Sequence, residues 1–195
     1  ILKTIKSKTR VYSILGNHDY GTYMQWESDK EMQDNFKHLL ELQRDKLGWD
    51  LLMDEHRILE RNGKKLAIIG VQYIGHSLRF GKFGDLKKAY AGAETADIQL
   101  LLSHDPSHWD HEVSLKEEFS GIHATFAGHT HGFQFGIEIP GIKWSPSQYV
   151  YPHWAGLYKS KEQQQLYVNR GAGFLGYPGR LGISPEVSVF QLVKA

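Results

Sequence analysis

At 195 residues the chain is long enough for one domain with a substantial core, and short for two. Apolar residues make up 41% and charged residues 23%, and the formal net charge of +1 gives no sign of a general polyanion-binding surface. Cysteine is absent, so disulfides and thiolate metal sites are excluded and any transition-metal site must use His, Asn and carboxylates.

The opening "ILKTIKSKTR" lacks an initiator Met, resembles the end of a helix more than a signal peptide, and reads as cut from something longer. Residues 10–15 predict a strand that runs into Gly-Asn-His-Asp. Ser28 with Glu31 three residues on is a capping-box pattern, and Met32, Phe36, Leu39 and Leu40 fall at helical spacing up to a stop at Gly48. Residues 49–74 read as two or three strands broken by the turn signal Asn62-Gly63. "DLKKAYAGA" is a short helix, and "DIQLLLSHDP" and "IHATFAGHTH" are apolar strands ending in polar residues. "QQLYVNRGAGF" and "EVSVFQLV" alternate like half-exposed strands, separated by a Gly/Pro-rich stretch. No linker, repeat or run of roughly 20 apolar residues interrupts the pattern. The chain is therefore expected to be one domain, 1–195, of mixed α/β class with packed sheets flanked by helices.

Three strand ends, "ILGNHD", "LLLSHDP" and "TFAGHTH", share one design of apolar residues followed by His. Sites in such sheets gather beyond the carboxyl ends of strands, and these ends offer Asn17, His18, His104, His129 and His131. Imidazole nitrogen and amide oxygen suit zinc, iron or manganese. If residues 129–131 are extended, both imidazoles point to one side, with Gly128 and Gly132 turning the backbone.

With "GNHD" at 16–19, "SHDP" at 103–106 and "GHTHGFQF" at 128–135 in order, the chain resembles the calcineurin-like metallophosphoesterases, and its tail resembles a bacterial branch often membrane-associated or exported. The resemblance implies a four-layer αββα sandwich and a centre of two divalent ions (Mn, Fe or Zn) that clamps a phosphate. Asn17, His104 and His129 would bind the second ion and His131 the first. His18 would face the phosphoryl oxygen or protonate the leaving alkoxide. The family's earlier motifs, D-x-H and G-D-x-x-D, do not occur here, and only fifteen residues precede Gly16. The fragment is therefore expected to lack N-terminal strands, hold at most one ion, hydrolyse weakly or not at all, and dimerise through exposed strand edges.

The expected substrate is a phosphate mono- or diester, with phospholipid or nucleotide-lipid head groups in view. A nuclease of the same fold finds no Lys/Arg run to support it, and a non-enzymatic module on the scaffold is the other alternative. Localisation, cytoplasmic or membrane-associated, would depend on a segment outside this sequence. Among other residues, Asp19 reads as a structural capper, and His108 and His111 as surface or packing. His123 reads as a core residue, and Phe133 and Phe135 as one buried strand face around Gln134. Tyr20, Tyr23 and Trp26 suit either a substrate wall or packing. The aromatic-dense segment 143–160 suits either a covering loop or a packed excursion.

Overall fold

The computed structural model describes residues 2–5, 7–76, 81–160 and 163–193. Its frame is a six-stranded sheet in the order β3-β4-β5-β6-β10-β9. The strands are β3 (Glu55–Arg61), β4 (Lys64–Gly70), β5 (Ile98–Leu102), β6 (Ala124–Ala127), β9 (Gly156–Lys159) and β10 (Gln165–Val168). Strands β4, β5, β6 and β10 run parallel, and β3 and β9 close the two edges antiparallel. The Asn62-Gly63 turn joins β3 to β4 with φ of 54° and 71°, the positive pair that a two-residue hairpin requires.

Alternation sorts the sheet into two faces. Ala67, Ile69, Leu101, Ala127, Leu166 and Val168 point to one side, under α2 (Leu86–Tyr90) and the segment that begins at α3 (Pro106–His108) and widens into a π-type turn over Trp109–Val113. On the opposite face, Gly70 lies under Ile14 and Leu52. Those two residues follow β1 (Tyr12–Ser13) and β2 (Asp50–Leu51), a short parallel pair. Beyond that pair, Phe36, Leu39 and Leu40 of α1 (Asp29–Glu41) pack on Leu15, Tyr20 and Leu51. The layers thus run helix, small strand pair, main sheet, helices, so the αββα order is present in outline with two strands in the second β layer among the described residues. A hairpin of β7 (Ile137–Ile139) and β8 (Ile142–Trp144) stands apart.

Several local expectations hold. Ser28 caps α1 by accepting from the Glu31 N–H at 3.2 Å, while Glu31 reaches back to the Glu27 N–H at 2.8 Å. The helix ends through a π-type turn, Leu42–Lys46, and Gly48 then takes φ 69°. The first strand is shorter than residues 10–15, because the chain leaves the ladder at Ile14 to place Gly16 and Asn17. Residues 186–193 alternate as read, yet they form no ladder. They are held instead by side chains: Glu186 bonds Tyr167 and Arg170, Ser188 bonds Asn169, and Phe190 packs on Phe126 and Tyr167.

Burial alone would raise the Glu186 pKa, but hydrogen bonds from Tyr167, Arg170 and Ser188 outweigh it and hold the carboxyl at about 2. A carboxyl depressed on folding stabilises the fold fully above its unfolded pKa, and that stabilisation is lost as pH falls through the folded one. Acidification from about pH 4.5 toward 2 is therefore expected to release the tail 186–193, read as faster amide exchange confined to that segment. Equal protection at both ends of that range would contradict this anchoring.

Candidate metal centre

Three strand ends deliver the site. After β1 the chain turns at Gly16 into the short helical turn Asn17–Tyr20, and Asp19 accepts from the Gly16 N–H at 2.7 Å, the capping role expected of it. After β5 and β6, the Ser103 N–H bonds the Phe126 carbonyl and the Gly128 N–H bonds the His104 carbonyl, at 3.0 and 2.9 Å. Those bonds set the His104 and His129 rings side by side, with centroids 5.1 Å apart. Gly16 lies directly beneath the His104 ring, where a Cβ would come within 2.7 Å of it.

Asn17 closes the arrangement. Its Oδ1 lies 3.1 Å from His104 Nε2 and 3.0 Å from His129 Nδ1. Behind His129, its Nε2 is 2.8 Å from the Tyr151 hydroxyl and 3.4 Å from Asp105 Oδ2. Asp105 is itself fixed, accepting from the Tyr73 hydroxyl at 3.0 Å and the Ser107 N–H at 2.9 Å. His131 and His18 line the same cleft of about 920 Å³, together with Tyr151, Phe133, Val150, Phe174 and Leu175. His131 shares the cleft but not the cluster: its Nδ1 is buried with no hydrogen bond. His18 is exposed at the mouth, its ring edge-on to Tyr23 at 4.3 Å.

The HxH segment is not extended. His129 and His131 take φ of 67° and 52°, with Thr130 in the right-handed region between them. The left-handed backbone continues through Gly132, Phe133 and Gln134 at 57°, 50° and 57°. Each such non-glycine residue costs about 1–2 kcal/mol, and strain of this kind concentrates where side chains must be aimed. The coil also inverts the expected strand face. Gln134 is 1% exposed, while Phe133 and Phe135 are each 42% exposed. Gln134 serves as a polar staple, its amide bonding the Tyr177 and Gly179 carbonyls and the Leu175 N–H.

Burial pushes all four imidazoles below their usual range. His104 falls to about 3, with the neighbouring His129, His131 and His18 adding to the effect. His131 is lowered by burial and by Arg180, while His129 and His18 are lowered by burial against opposing pulls from Asp105 and Asp19. Neutral imidazole is the form that ligates metal.

The model of the family described as "Calcineurin-like phosphoesterase" matches residues 1–133. The chain belongs to the calcineurin-like phosphoesterase family. A Danio rerio "Transmembrane protein with metallophosphoesterase domain" is 26% identical over 100% of this chain and 41% of its own length. A Helicobacter pylori "Uncharacterized metallophosphoesterase" is 33% identical over 56% of this chain and 27% of its own. Bacillus subtilis "Uncharacterized metallophosphoesterase YkoQ" is 24% identical over 98% and 63%. The chain thus spans about two fifths of the length of the zebrafish relative. Vertebrate and bacterial proteins both match, so a bacterial branch is not singled out.

Calcineurin-like phosphoesterases generally use divalent metals, and Asn17, His104 and His129 are donors of the types such ions take. The Asn17 Oδ1 lies within 3.1 Å of one nitrogen of each imidazole, so these three atoms would be the ones to hold an ion. Among the described residues no group of three or more His, Asp or Glu is placed to hold an ion, and the third donor is the Asn17 amide.

The remaining candidates settle into packing. Tyr20 is buried and stacked on Phe36 and Phe83, and the Trp26 indole donates to the Gly21 carbonyl. His108 is buried with Nδ1 on Ser103, and exposed His111 stacks on His76. His123 is exposed, not core, and its ring caps the Gln99 N–H just ahead of β6. Arg170 and Arg180, which by residue type could engage a phosphate, are instead occupied: Arg170 pairs with Glu138 and Glu186, and Arg180 donates to backbone carbonyls. Asp105, Tyr73 and Tyr151 had no signal as a set in the sequence beyond the Asp of "SHDP".

Gly16→Ala is expected to displace the His104 ring and destabilise the fold by about 1–3 kcal/mol, the usual result of overpacking. Denaturant unfolding together with the His104 ring NMR signals measures both effects, and unchanged ring signals would show that the backbone yields instead.

Proposed function

We propose that this chain carries the phosphate-facing histidine and one ion-binding half of the centre of a metal-dependent phosphoester hydrolase. The carrying observation is the convergence of Asn17 Oδ1 on His104 Nε2 and His129 Nδ1 within 3.1 Å. These three residues would hold one divalent ion, Mn, Fe or Zn. His131, in the same cleft but apart from the cluster, would serve a second ion whose other ligands lie outside this set. Divalent ions at such a centre supply the positive charge that draws in a phosphoester and stabilises the developing oxyanions.

The chain's own residues supply position and protons. The Tyr23 hydroxyl donates to the His18 carbonyl at 2.9 Å and its ring flanks the imidazole, which fixes His18 at the cleft mouth. There a ring N–H can donate to a phosphoryl oxygen or to the departing alkoxide. Exposed Phe133, Val150, Phe174 and Leu175 form an apolar wall beside the ester position, which favours a phosphoester joined to an apolar group, as in a phospholipid or nucleotide-lipid. Among the described residues the β1–β2 pair has no third strand beside it, which supports pairing with a second copy.

Calorimetric titration of this chain with Mn²⁺ or Zn²⁺ is expected to show one ion, with Asn17→Ala and His104→Ala each weakening it by about tenfold or more. The longer protein is expected to hydrolyse a chromogenic phosphodiester, to stop with chelator, and to lose about 10²–10⁴ in kcat with His18→Ala. This chain alone should turn over far more slowly. Two tightly bound ions, or chelator-resistant hydrolysis, would overturn the proposal. Sedimentation of a strictly monomeric chain would remove the paired-edge part.

A further inference from the structure

The hairpin β7–β8 wears its alternation the wrong way round. Residues opposite each other in a ladder share a face, so Ile137 with Trp144 and Ile139 with Ile142 lie on one side, and Glu138 with Lys143 on the other. The polar side is the one tied to the rest of the protein. Glu138 pairs with Arg170, and the Lys143 ammonium donates to the Ala155 carbonyl at 2.9 Å and stands 5.2 Å from the centre of the buried Trp154 ring. The apolar side is left outside: Ile137, Ile139 and Ile142 are 49%, 55% and 53% exposed. Burial within the chain does not account for this orientation, which leaves three isoleucines in water.

The apolar face runs on to the cleft mouth. The Phe135 ring meets Trp144 edge-on at 6.2 Å, and the backbone of Phe135 bridges exposed Leu181, on the loop whose Phe174 and Leu175 line the cleft. The Trp144 indole reaches the Tyr149 hydroxyl at 3.4 Å, and rings of these two types favour the boundary between water and lipid. Charge selects the occupant. Between Glu138 and Glu186 the sequence holds five Lys and Arg and one acidic residue, Glu162. Glu138 is itself already paired. Two copies meeting through this face would set like charges opposite, whereas anionic head groups complement them.

We propose that the β7–β8 hairpin docks this protein on an anionic lipid bilayer, with Ile137, Ile139 and Ile142 seated in the head-group layer and the cleft mouth held against the surface. Docking rests on the substrate reading above only for its purpose, which is to bring the cleft to a phosphoester anchored in the bilayer. Interfacial elements bind through buried apolar area together with attraction to anionic lipid, so each contribution has its own measurable loss.

The test sediments the whole metal-free chain with vesicles of phosphatidylcholine, or of phosphatidylcholine and phosphatidylglycerol in equal parts. The parent is expected to bind the mixed vesicles more tightly, and less so as salt rises. The double variant Ile137→Ser, Ile139→Ser is expected to lose about tenfold or more in affinity. Leu115→Ser, at an exposed apolar position in the turn after Trp109–Val113, should bind as the parent does. No binding by the parent, equal binding by parent and double variant, or equal binding to the two vesicle types would overturn the proposal. A parent dimer that the double variant lacks, with no vesicle binding, would overturn it in favour of a second copy. Vesicle binding reads no turnover, so its absence leaves the hydrolase reading standing, while chelator-resistant hydrolysis by the longer protein would sink that reading and leave docking untouched. Thermal unfolding checks that the double variant keeps its fold, and Ile142→Ser on the facing strand supplies a second reading if it does not.

Discussion

A single amide oxygen, set between two imidazoles from neighbouring strands, is the constraint around which this molecule is arranged. Removing an amide and two rings from water is unfavourable unless their polar atoms find partners. The fold meets that demand for the amide oxygen by bringing three chain segments to one point, and leaves the Asn17 Nδ2 buried without a hydrogen bond. The cross-strand backbone bonds after β5 and β6 fix the two histidines, and the departure of the chain from β1 fixes the amide. Gly16 exists in this scheme as the empty space under an imidazole. The strained coil after β6 is the part of the backbone that departs furthest from regular structure in order to aim side chains.

The main sheet serves that point asymmetrically. One face is closed by α2 and the turns after α3 around a continuous apolar cluster. The other is closed in pieces: Ile14 and Leu52 over Gly70 at one end, and Phe190 over Phe126 and Tyr167 at the other. Leu66, Ile68, Leu100 and Leu102 between them remain half-buried.

Much of this was legible. The strands β3 to β6 and β10, the helix α1, the cap at Ser28, the turn at Asn62-Gly63 and the polar strand ends follow from spacing and residue type, whereas β7, β8 and β9 were not foreseen. The cluster of Asn17, His104 and His129 follows once the ends of β1, β5 and β6 meet, the first from the small strand pair and the other two from the main sheet. What was not legible depends on backbone geometry or on distant partners. Period-two reading of Phe133, Gln134 and Phe135 presumed extended chain, and the left-handed coil reversed which side is buried. Alternation in 186–193 suggested a half-exposed strand, and Glu186 and Ser188 are indeed half-buried between exposed neighbours. It could not say that side chains, and no ladder, would hold them. Nothing in local sequence links residue 151 to residue 129, because their meeting is decided by the path of an irregular loop.

Gln134 carries a consequence for how this surface can diversify. Its side chain grips the loop 175–179 through backbone groups alone, the Leu175 N–H and the Tyr177 and Gly179 carbonyls. Backbone bonds are indifferent to side-chain identity but sensitive to spacing. Insertions or deletions there would break the grip, while Phe174, Leu175 and Leu181 can be exchanged with little effect on it. The frame of the cleft is thus insulated from its lining, and selection can redraft the lining without renegotiating the fold.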